Sequence, residues 1–573
     1  MQTQSQLRLH GAVQTVYAGM LLLLSVVGAQ AEVTGAEVPE GQATQVVVVG
    51  QQLPQASDDN PGTAELPVKT LNRALQVAFA YNKQRLGVKI IIHPGVYRES
   101  ITLRQDTDAP LVLVSTEKGQ AVISGADVWR DWQSTATPNV YRHDWPYTWG
   151  VTARNLAIPA DRRFDDIGRR REMVFVNGYA MQQVLSRAAL LENTFFVDEI
   201  GHSLYVQIAP GTSIAALNME VSLRSSLLSA DGVTKIVLRG LTFQHANTPY
   251  HTQAVRFDRS SHILIEDCRF DWNNWGGLHF EQSQNVTVRK SAANHNGAVG
   301  MDAGFGKNFL FEENETSYNN WRGASGGFTG WEVAGLKHLF IHDALYRAHR
   351  AVANLASGMW FDTDNVNITL VDAQIHDNMV DGLYVEANHG PITVHKNIIC
   401  HNKRWGVLIA NSRRVTLEQN LIYANAACQL TERGGRSVRT IEDSETKESV
   451  GLISGDWVLG NNIIVGTSET EKLFCSNQGG SEDSASWSAF RRSLVSQENV
   501  WFNPHTQEVF SLPGGRQVSL STWRGALGQD TNSLFTDPLL VAPLQHQFRL
   551  LPESPVPRKE KWEILDSSVP SVR

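Results

Sequence analysis

Eight short strand-like hexamers follow one another through the middle of the chain. They are "IVLRGL" from Ile236, "ILIEDC" from Ile263, "VTVRKS" from Val286, "FLFEEN" from Phe309, "LFIHDA" from Leu339, "ITLVDA" from Ile368, "ITVHKN" from Ile392 and "VTLEQN" from Val415. The steps between them are 27, 23, 23, 30, 29, 24 and 23 residues. A period this short, built on alternating apolar residues, excludes the helical repeats. The Leu-x-x-Leu-x-Leu pattern of leucine-rich repeats is absent, which leaves a parallel β-helix whose coils are made of short strands.

Other features keep phase with this period. Asn274, Asn296, Asn320, Asn378 and Asn402, with the glycines beside them, are expected to supply the left-handed backbone angles of tight corners. Asn397, Asn420 and Asn462 are expected to stack as an internal ladder. At the start, "TLNRALQVAFAYNKQRL" (70 to 86) has helical periodicity and can cap the open end of the solenoid, followed by a first coil in "GVKIIIHPGVYRESITL". "GQDTNSLFTDPLL" and "FRLLPESPV" read as closing turns over the last coil. Between residues 126 and 230 the period lapses into alternating strands such as "EMVFVNGYAMQQV" and "SLYVQIAP", the pattern of an inserted antiparallel β-sandwich. "RRFDDIGRRRE" before them reads as a solvated loop. The expected division is a signal peptide over 1–31, a cap and first coils over 42–125, the insert over 126–230, the main β-helix over 231–550 and a tail over 551–573. A polar excursion at 424–456 is long enough to shape a cleft.

Arg8, the apolar run from Val16 to Ala29 and the "AQA" ending at Ala31 form the export signal. No other run is long enough for a transmembrane segment, so a soluble exported protein, periplasmic or extracellular, is expected. Four cysteines in 573 residues are few for such a chain, so its stability must come from a core. Cys268 and Cys400 sit beside apolar repeat positions and read as buried thiols, whereas Cys428 and Cys475 lie in long excursions and can pair. With no C-x-x-C or H-E-x-x-H, no zinc or other metal is expected. The formal charge of -8 argues against nucleic acid as a partner.

Two segments then stand out: "GMWFDTDNVNITL" (358 to 370) and "GLYVEANHGPITV" (382 to 394) align without a gap at an offset of 24 residues. Alternation turns Met359, Phe361, Leu383 and Val385 inward, and Trp360, Asp362, Tyr384 and Glu386 outward. Neighbouring coils lie about 4.8 Å apart, so Asp362 and Glu386 should stand roughly 5 Å from each other. Retaining glycosidases hold their two carboxyl groups about 5 to 5.5 Å apart, and inverting ones roughly 6.5 to 9.5 Å. Two carboxyls this close should also repel, favouring a proton on one of them. Glu332 in "GWEVAGLK", with Lys337 as its partner, and Asp258, Glu281 and Asp302 on earlier coils would extend the acidic column. Trp331, Trp360, Tyr384 and Trp405 are candidates for stacking on sugar faces, and His389 and Arg404 for bonding hydroxyls or a carboxylate. Trp275 and Trp321 at corners are as suited to packing.

With these motifs the chain resembles the β-helix glycoside hydrolases typified by the family 120 β-xylosidases, which carry a β-sandwich inserted in a right-handed, pectate-lyase-like parallel β-helix. The likeness covers most of the mature chain, from "PVKTLNRAL" through "EMVFVNG", "GWEVAGLK", "GMWFD" and "GLYVEAN" to "DPLL" and "PESPV". It implies a retaining double displacement with no cofactor, on a plant or algal oligosaccharide or polysaccharide. By the same resemblance the nucleophile falls on Asp362, the acid/base on Glu386 and an auxiliary acid on Glu332. "EANHGP" departs from the family pattern at Asn388 and His389, where many relatives have a small polar residue. Two other readings stay open. One is a Ca2+-dependent polysaccharide lyase, with the acids as ligands and Lys337, Arg347 or Arg404 as base. The other is a non-catalytic carbohydrate-binding β-helix protein.

Overall fold

The computed structural model describes residues 33–152, 165–434, 438–476 and 481–556. The signal peptide, residues 162–164 of the basic stretch and residues 557–573 of the tail lie outside the described residues. Three parallel faces wind into one solenoid. The first is a thirteen-stranded sheet running from Gln45–Val49 through Thr234–Arg239 and Val366–Val371 to Val495–Gln497. The second, also thirteen-stranded, runs from Ile101–Leu103 through Ser357–Asp362, Leu383–Glu386 and Trp405–Ala410 to a short antiparallel pair at its end. The third is split into a four-stranded and a seven-stranded sheet, joined by single bridges at Ala292 and Glu315. Alternate residues of all three faces point inward and fuse into one apolar core, which includes Leu336, Met359, Phe361, Leu383 and Val385 as the alternation requires.

Seven of the repeat hexamers begin on the first face, and the register corrects the eighth, which begins on the last residue of a second-face strand. Phe309 pairs with Ala344 and Ala344 with Ile368, so the coil step after Phe309 is 35 residues (344 minus 309) and the next is 24 (368 minus 344). "LFIHDA" from Leu339 is therefore five residues early (344 minus 339). The surplus length of that coil lies in the short helix Trp321–Ser325 and the loop after it. No periodicity marks such an insertion, because both of its flanks are apolar.

Corners are built in a way that sequence reading reverses. Asn296, Asn378 and Asn402 are not themselves left-handed; the residues before them are, with φ of 55° at His295, 59° at Asp377 and 56° at His401. Asn320 alone of the expected corner asparagines has positive φ, at 73°. Asn296, Asn378 and Asn402 instead belong to a buried amide ladder that runs from Asn273 through Asn296, Asn319, Asn354, Asn378, Asn402 and Asn425 to Gln429, whereas Asn274 and Asn320 donate to backbone carbonyls outside it. Each side-chain NH2 donates to the next side-chain oxygen at 2.8 to 3.1 Å. A left-handed non-glycine residue costs roughly 1–2 kcal/mol, and a ladder that satisfies every buried amide offsets it. The expected ladder through Asn397, Asn420 and Asn462 is present with links of 2.9 and 3.0 Å, and it continues to Asn499.

The helix Leu71–Asn82 closes the first end. Leu71, Ala74, Leu75 and Ala78 enter the core, and Asp58, Thr70 and Glu99 accept from the backbone N–H groups at its start. The other end is closed by the helices Ala485–Ser493 and Leu520–Leu527, through Trp487, Phe490 and Trp523. Of the two segments expected as closing turns, the first does lie on the last coil, where Leu534–Phe535 pairs with Val500–Phe502; at the second, the hairpin Leu540–Ala542/Gln547–Leu550 folds back and lays Phe548 on Ile398, Cys400, Tyr423 and Ile463, outward residues of the third face. Where the period lapses, two small and largely antiparallel sheets surround a separate apolar cluster of Trp145, Val174, Phe195, Leu204 and Val221. The strand Leu228–Asp231 already pairs with Ile101–Leu103 and Gln253–Asp258, so the solenoid resumes a little before the expected boundary. Among the described residues no helix is long and apolar enough to cross a membrane.

Cys268 and Cys400 are buried free thiols, and Cys428 is bonded to Cys475 across neighbouring second-face strands, with Cα atoms 6.4 Å apart. The bond closes a loop spanning 47 residues. Replacing both of these cysteines by serine should lower unfolding free energy by about 2–4 kcal/mol. Denaturant titration without reductant checks this, and the wild type under reductant should fall to the variant's value.

Candidate functional site

Asp362 pairs with Glu386 in parallel register, and Trp360 with Tyr384 beside them. The two acids thus stand one strand apart on the outer side of the second face, at the interstrand spacing of about 4.8 Å. Trp360 and Tyr384 stack with centroids 4.8 Å apart and planes at 22°. They are buried, 5% and 6% exposed, in an outer apolar cluster with Ala334, Leu408 and the half-buried Trp331 and Trp405. A cavity of about 400 Å³ opens over this cluster, lined among others by Phe328, Trp331, Trp360, Tyr384, Glu386 and Arg404. That is toward the lower end of the ~300–1,000 Å³ of ligand sites.

Each acid has its own cation, so the repulsion expected between them is met by countercharge. Lys337, buried, reaches Asp362 Oδ2 at 3.0 Å and lies 3.7 Å above the Trp360 ring. The Thr363 hydroxyl donates to Asp362 Oδ1 at 2.9 Å. Arg439 donates to Glu386 Oε1 at 2.7 Å, and Arg433 to the Tyr384 hydroxyl at 2.7 Å. Burial first, and then the Glu386 carboxylate, raise the Tyr384 hydroxyl far above the ordinary phenol range. Lys337 was expected beside Glu332. It partners Asp362 because its strand position pairs with Trp360.

The long coil also displaces Glu332. At that coil the column position is Leu339, paired with Asp362, while Glu332 lies in the preceding loop with φ of 69° and meets His251 at 3.0 Å. It does not line the cavity. Asp258 and Glu281 do share the register of the column, through Gly304 and Leu339, but Asp302 stands two residues aside and binds His279 at 2.9 Å. Arg404 lines the cavity, held by both Asp381 oxygens at 2.7 and 2.6 Å and lying 4.1 Å from the Trp405 ring. Arg347 is on the first face, bonded to Glu312 at 2.6 Å, away from the acids. Asn388 is a buried ladder residue that accepts from Asn365, not a pocket contact.

His389 likewise faces elsewhere. Its Nε2 lies 2.8 Å from Asp364 and 3.1 Å from Asp443, while His342 reaches Asp364 at 3.2 Å. The Ser444 backbone N–H donates to Asp364 at 2.7 Å. This knot ties the excursion to the solenoid, and the excursion's hairpin Arg439–Glu442/Ser449–Leu452 carries the arginine that holds Glu386. A second anchor is the fully buried Arg322, which bonds Asn274 at 2.9 Å, Gln183 at 2.6 Å and the Glu172 carbonyl at 2.7 Å. It pins the long coil, whose loop forms one cavity wall, to the inserted sheets. Sequence reading missed Arg322, Arg433 and Arg439. Their only signal is that arginines fall in the long coil and the excursion; no spacing connects them to the acids.

The residues 228–438 match a family model described as a right handed beta helix region. The chain is a right-handed parallel β-helix. Among solved structures it is similar to "The complex structure of XylC with xylose", with a TM-score of 0.65 and 17% identity over 87% of each chain. It also matches the Azotobacter vinelandii mannuronan C-5 epimerase AlgE6 A-module, at a TM-score of 0.49 and 15% identity over 86% of this chain and all of that one. A further match is titled "Glycoside hydrolase", at 0.45 and 12% over 85% and 96%. No curated protein matches the chain in sequence. At 17% identity the likeness to the first of these shows the fold alone.

The knot around Asp364 gives a pH dependence of known sign. Burial would raise Asp364, but hydrogen bonds from His342, His389 and Ser444 outweigh it and hold the carboxyl far below its ordinary 3.8. Burial would lower His342, but the Asp364 hydrogen bond, with the Asp364 and Glu445 charges, holds it above 6.5. The Asp364 contribution is present above 3.8 and lost as pH falls toward the depressed value; the His342 contribution is complete below 6.5 and lost as pH rises through the raised value. The stability difference between wild type and His342→Gln should therefore shrink on the alkaline side, and that between wild type and Asp364→Asn on the acid side. Thermal unfolding across pH 3 to 9 would show both, and flat differences would disprove the coupling.

Proposed function

We propose that this protein is an exported retaining glycoside hydrolase acting on short oligosaccharides, β-xylosides first among them. The observation that carries the proposal is the in-register pair Asp362 and Glu386, the second of which lines a small aromatic-lined cavity while the first is buried one strand away. Their strand spacing suits direct attack and leaves no room for a water between acid and base. A cavity of about 400 Å³ suits one or two sugar rings better than an extended polymer. XylC, the structural neighbour, was solved with xylose, which makes a pentose the first sugar to test.

In the proposed reaction Asp362 attacks the anomeric carbon through Oδ1 while Lys337 holds Oδ2. The bond to the leaving oxygen breaks as Glu386 gives it a proton. Glu386, now ionised, takes a proton from water, which attacks the same carbon and frees Asp362. Arg439 must let go of Glu386 before that carboxyl can act as an acid. It belongs to the tethered excursion, so it can shift without moving a coil. Trp331 and Tyr384 would pack on the sugar, and Arg404 would bond a hydroxyl at the cavity rim.

Asp362→Asn and Glu386→Gln should each lower kcat/KM on an aryl β-xyloside by at least about a thousandfold with the fold intact. Proton NMR of the first product formed should show the β-anomer. Full activity in folded Asp362→Asn would remove the nucleophile assignment. Sugar binding without turnover in the wild type would favour a carbohydrate-binding role, and chelator-sensitive release of an unsaturated uronate would favour a lyase.

A further inference from the structure

Three of the chain's histidines meet on the outer side of the third face, and none of them lines the cavity. His376 ends the strand Gln374–His376, and His401 follows the strand Ile398–Cys400 one coil on. His546 stands at the turn of the C-terminal hairpin that folds back on this face, with φ of 58°. Its ring centroid lies 5.1 Å from that of His376 and 4.9 Å from that of His401. One metal-capable atom from each of His376, Asp377 and His546 falls within 4.8 Å of the others.

Hydrogen bonding singles out this cluster. His376 Nε2, His401 Nε2 and His546 Nδ1 are all buried, and no protein atom bonds any of them. A buried polar atom left unsatisfied costs about 1–3 kcal/mol, so three in one place need a common partner. His376 is 0% exposed, and its Nδ1 lies 2.8 Å from Asp377 Oδ2. A proton on Nδ1, donated to that carboxylate, leaves Nε2 as a lone pair, the tautomer that metal-binding histidines adopt through a carboxylate behind the ring.

We propose that His376, His401 and His546 bind a divalent transition metal of the zinc class, with Asp377 orienting His376 from behind its ring. Imidazole-rich sites suit zinc, copper or nickel, whereas calcium and magnesium require mostly oxygen ligands. The ligands come from two successive coils and from a hairpin more than a hundred residues later. The metal would clamp the C-terminal hairpin to the solenoid, where Phe548 and Val556 supply its other attachment. It has no part in the hydrolysis proposed above, so the two stand or fall separately.

The test uses untagged protein stripped with a chelator and titrated with cobalt(II), then with zinc. One equivalent of cobalt should bind with visible d–d absorption, zinc should displace it, and zinc should raise the thermal midpoint. His376→Gln and His546→Gln should each weaken zinc binding at least about hundredfold, and Asp377→Asn about tenfold. His546 lies at a half-buried surface turn, so its variant reads the site even if His376→Gln fails to fold. Absence of stoichiometric cobalt or zinc binding overturns the proposal, and so does full zinc affinity in folded His546→Gln.

Discussion

Everything in this molecule depends on coils that stack in one register, and the buried amide ladders hold that register. An apolar core alone tolerates sliding by two residues, since alternation survives such a shift. A ladder in which the side-chain oxygen of Asn378 accepts both the backbone N–H and the side-chain NH2 of Asn354 does not. Any slip leaves a fully buried amide unpaired, at a cost of about 1–3 kcal/mol for each group. A slip of one residue would be worse, because it would turn Asp362 and Glu386 into the core. The third ladder runs directly behind the acids, from Asn365 to Asn388 and on to Ser412. Asn365 also donates to the carbonyl of Asp362 itself. The distance between the two carboxylates is therefore set by the same hydrogen bonds that set the coil.

Segments that break the repeat contribute what the repeat cannot. Identical coils give a flat face, and a flat face holds no ligand. The lengthened coil puts Gly327 to Trp331 above that face as a wall, and the buried Arg322 at its base fastens it to the inserted sheets. A fully buried guanidinium is costly unless its donors are satisfied. Here the acceptors are Asn274 of the solenoid and Gln183 and Glu172 of the insert. The insert thus acts on the cavity at a distance, by holding the loop that shapes it.

What was legible in the sequence follows from this division. Whatever obeys the period could be read: the solenoid, the inward and outward faces, the pairing of Asp362 with Glu386, and the ladder through Asn397, Asn420 and Asn462. The period also misled where it was interrupted. Leu339 begins an apolar hexamer that fits the spacing almost as well as the true strand at His342–Arg347. Accepting it placed Glu332 in a column to which Leu339 belongs. The corners misled for a different reason: Asn is common both at left-handed positions and in ladders, and sequence alone does not separate a backbone role from a side-chain one. His389, adjacent to the motif, looked like a pocket residue, yet its partners are Asp364, at the same corner one coil earlier, and Asp443 of the excursion. The first contact spans about one coil, but the one to the excursion has no spacing to read.

Electrostatics explains why the acids need more than their coil. At an effective dielectric of about 20, two unit charges 5 Å apart repel by roughly 3 kcal/mol, enough to oppose stacking two carboxylates on adjacent strands. Lys337 answers for Asp362 from within the sheet, locked by burial and by the Trp360 ring beneath it. Arg439 answers for Glu386 from outside the repeat, on a hairpin secured by the Asp364 knot. The two countercharges therefore differ in kind. One is built into the sheet of the solenoid itself. The other stands on a hairpin outside the repeat, so Glu386 owes its countercharge to the excursion while Asp362 owes its own to the coil.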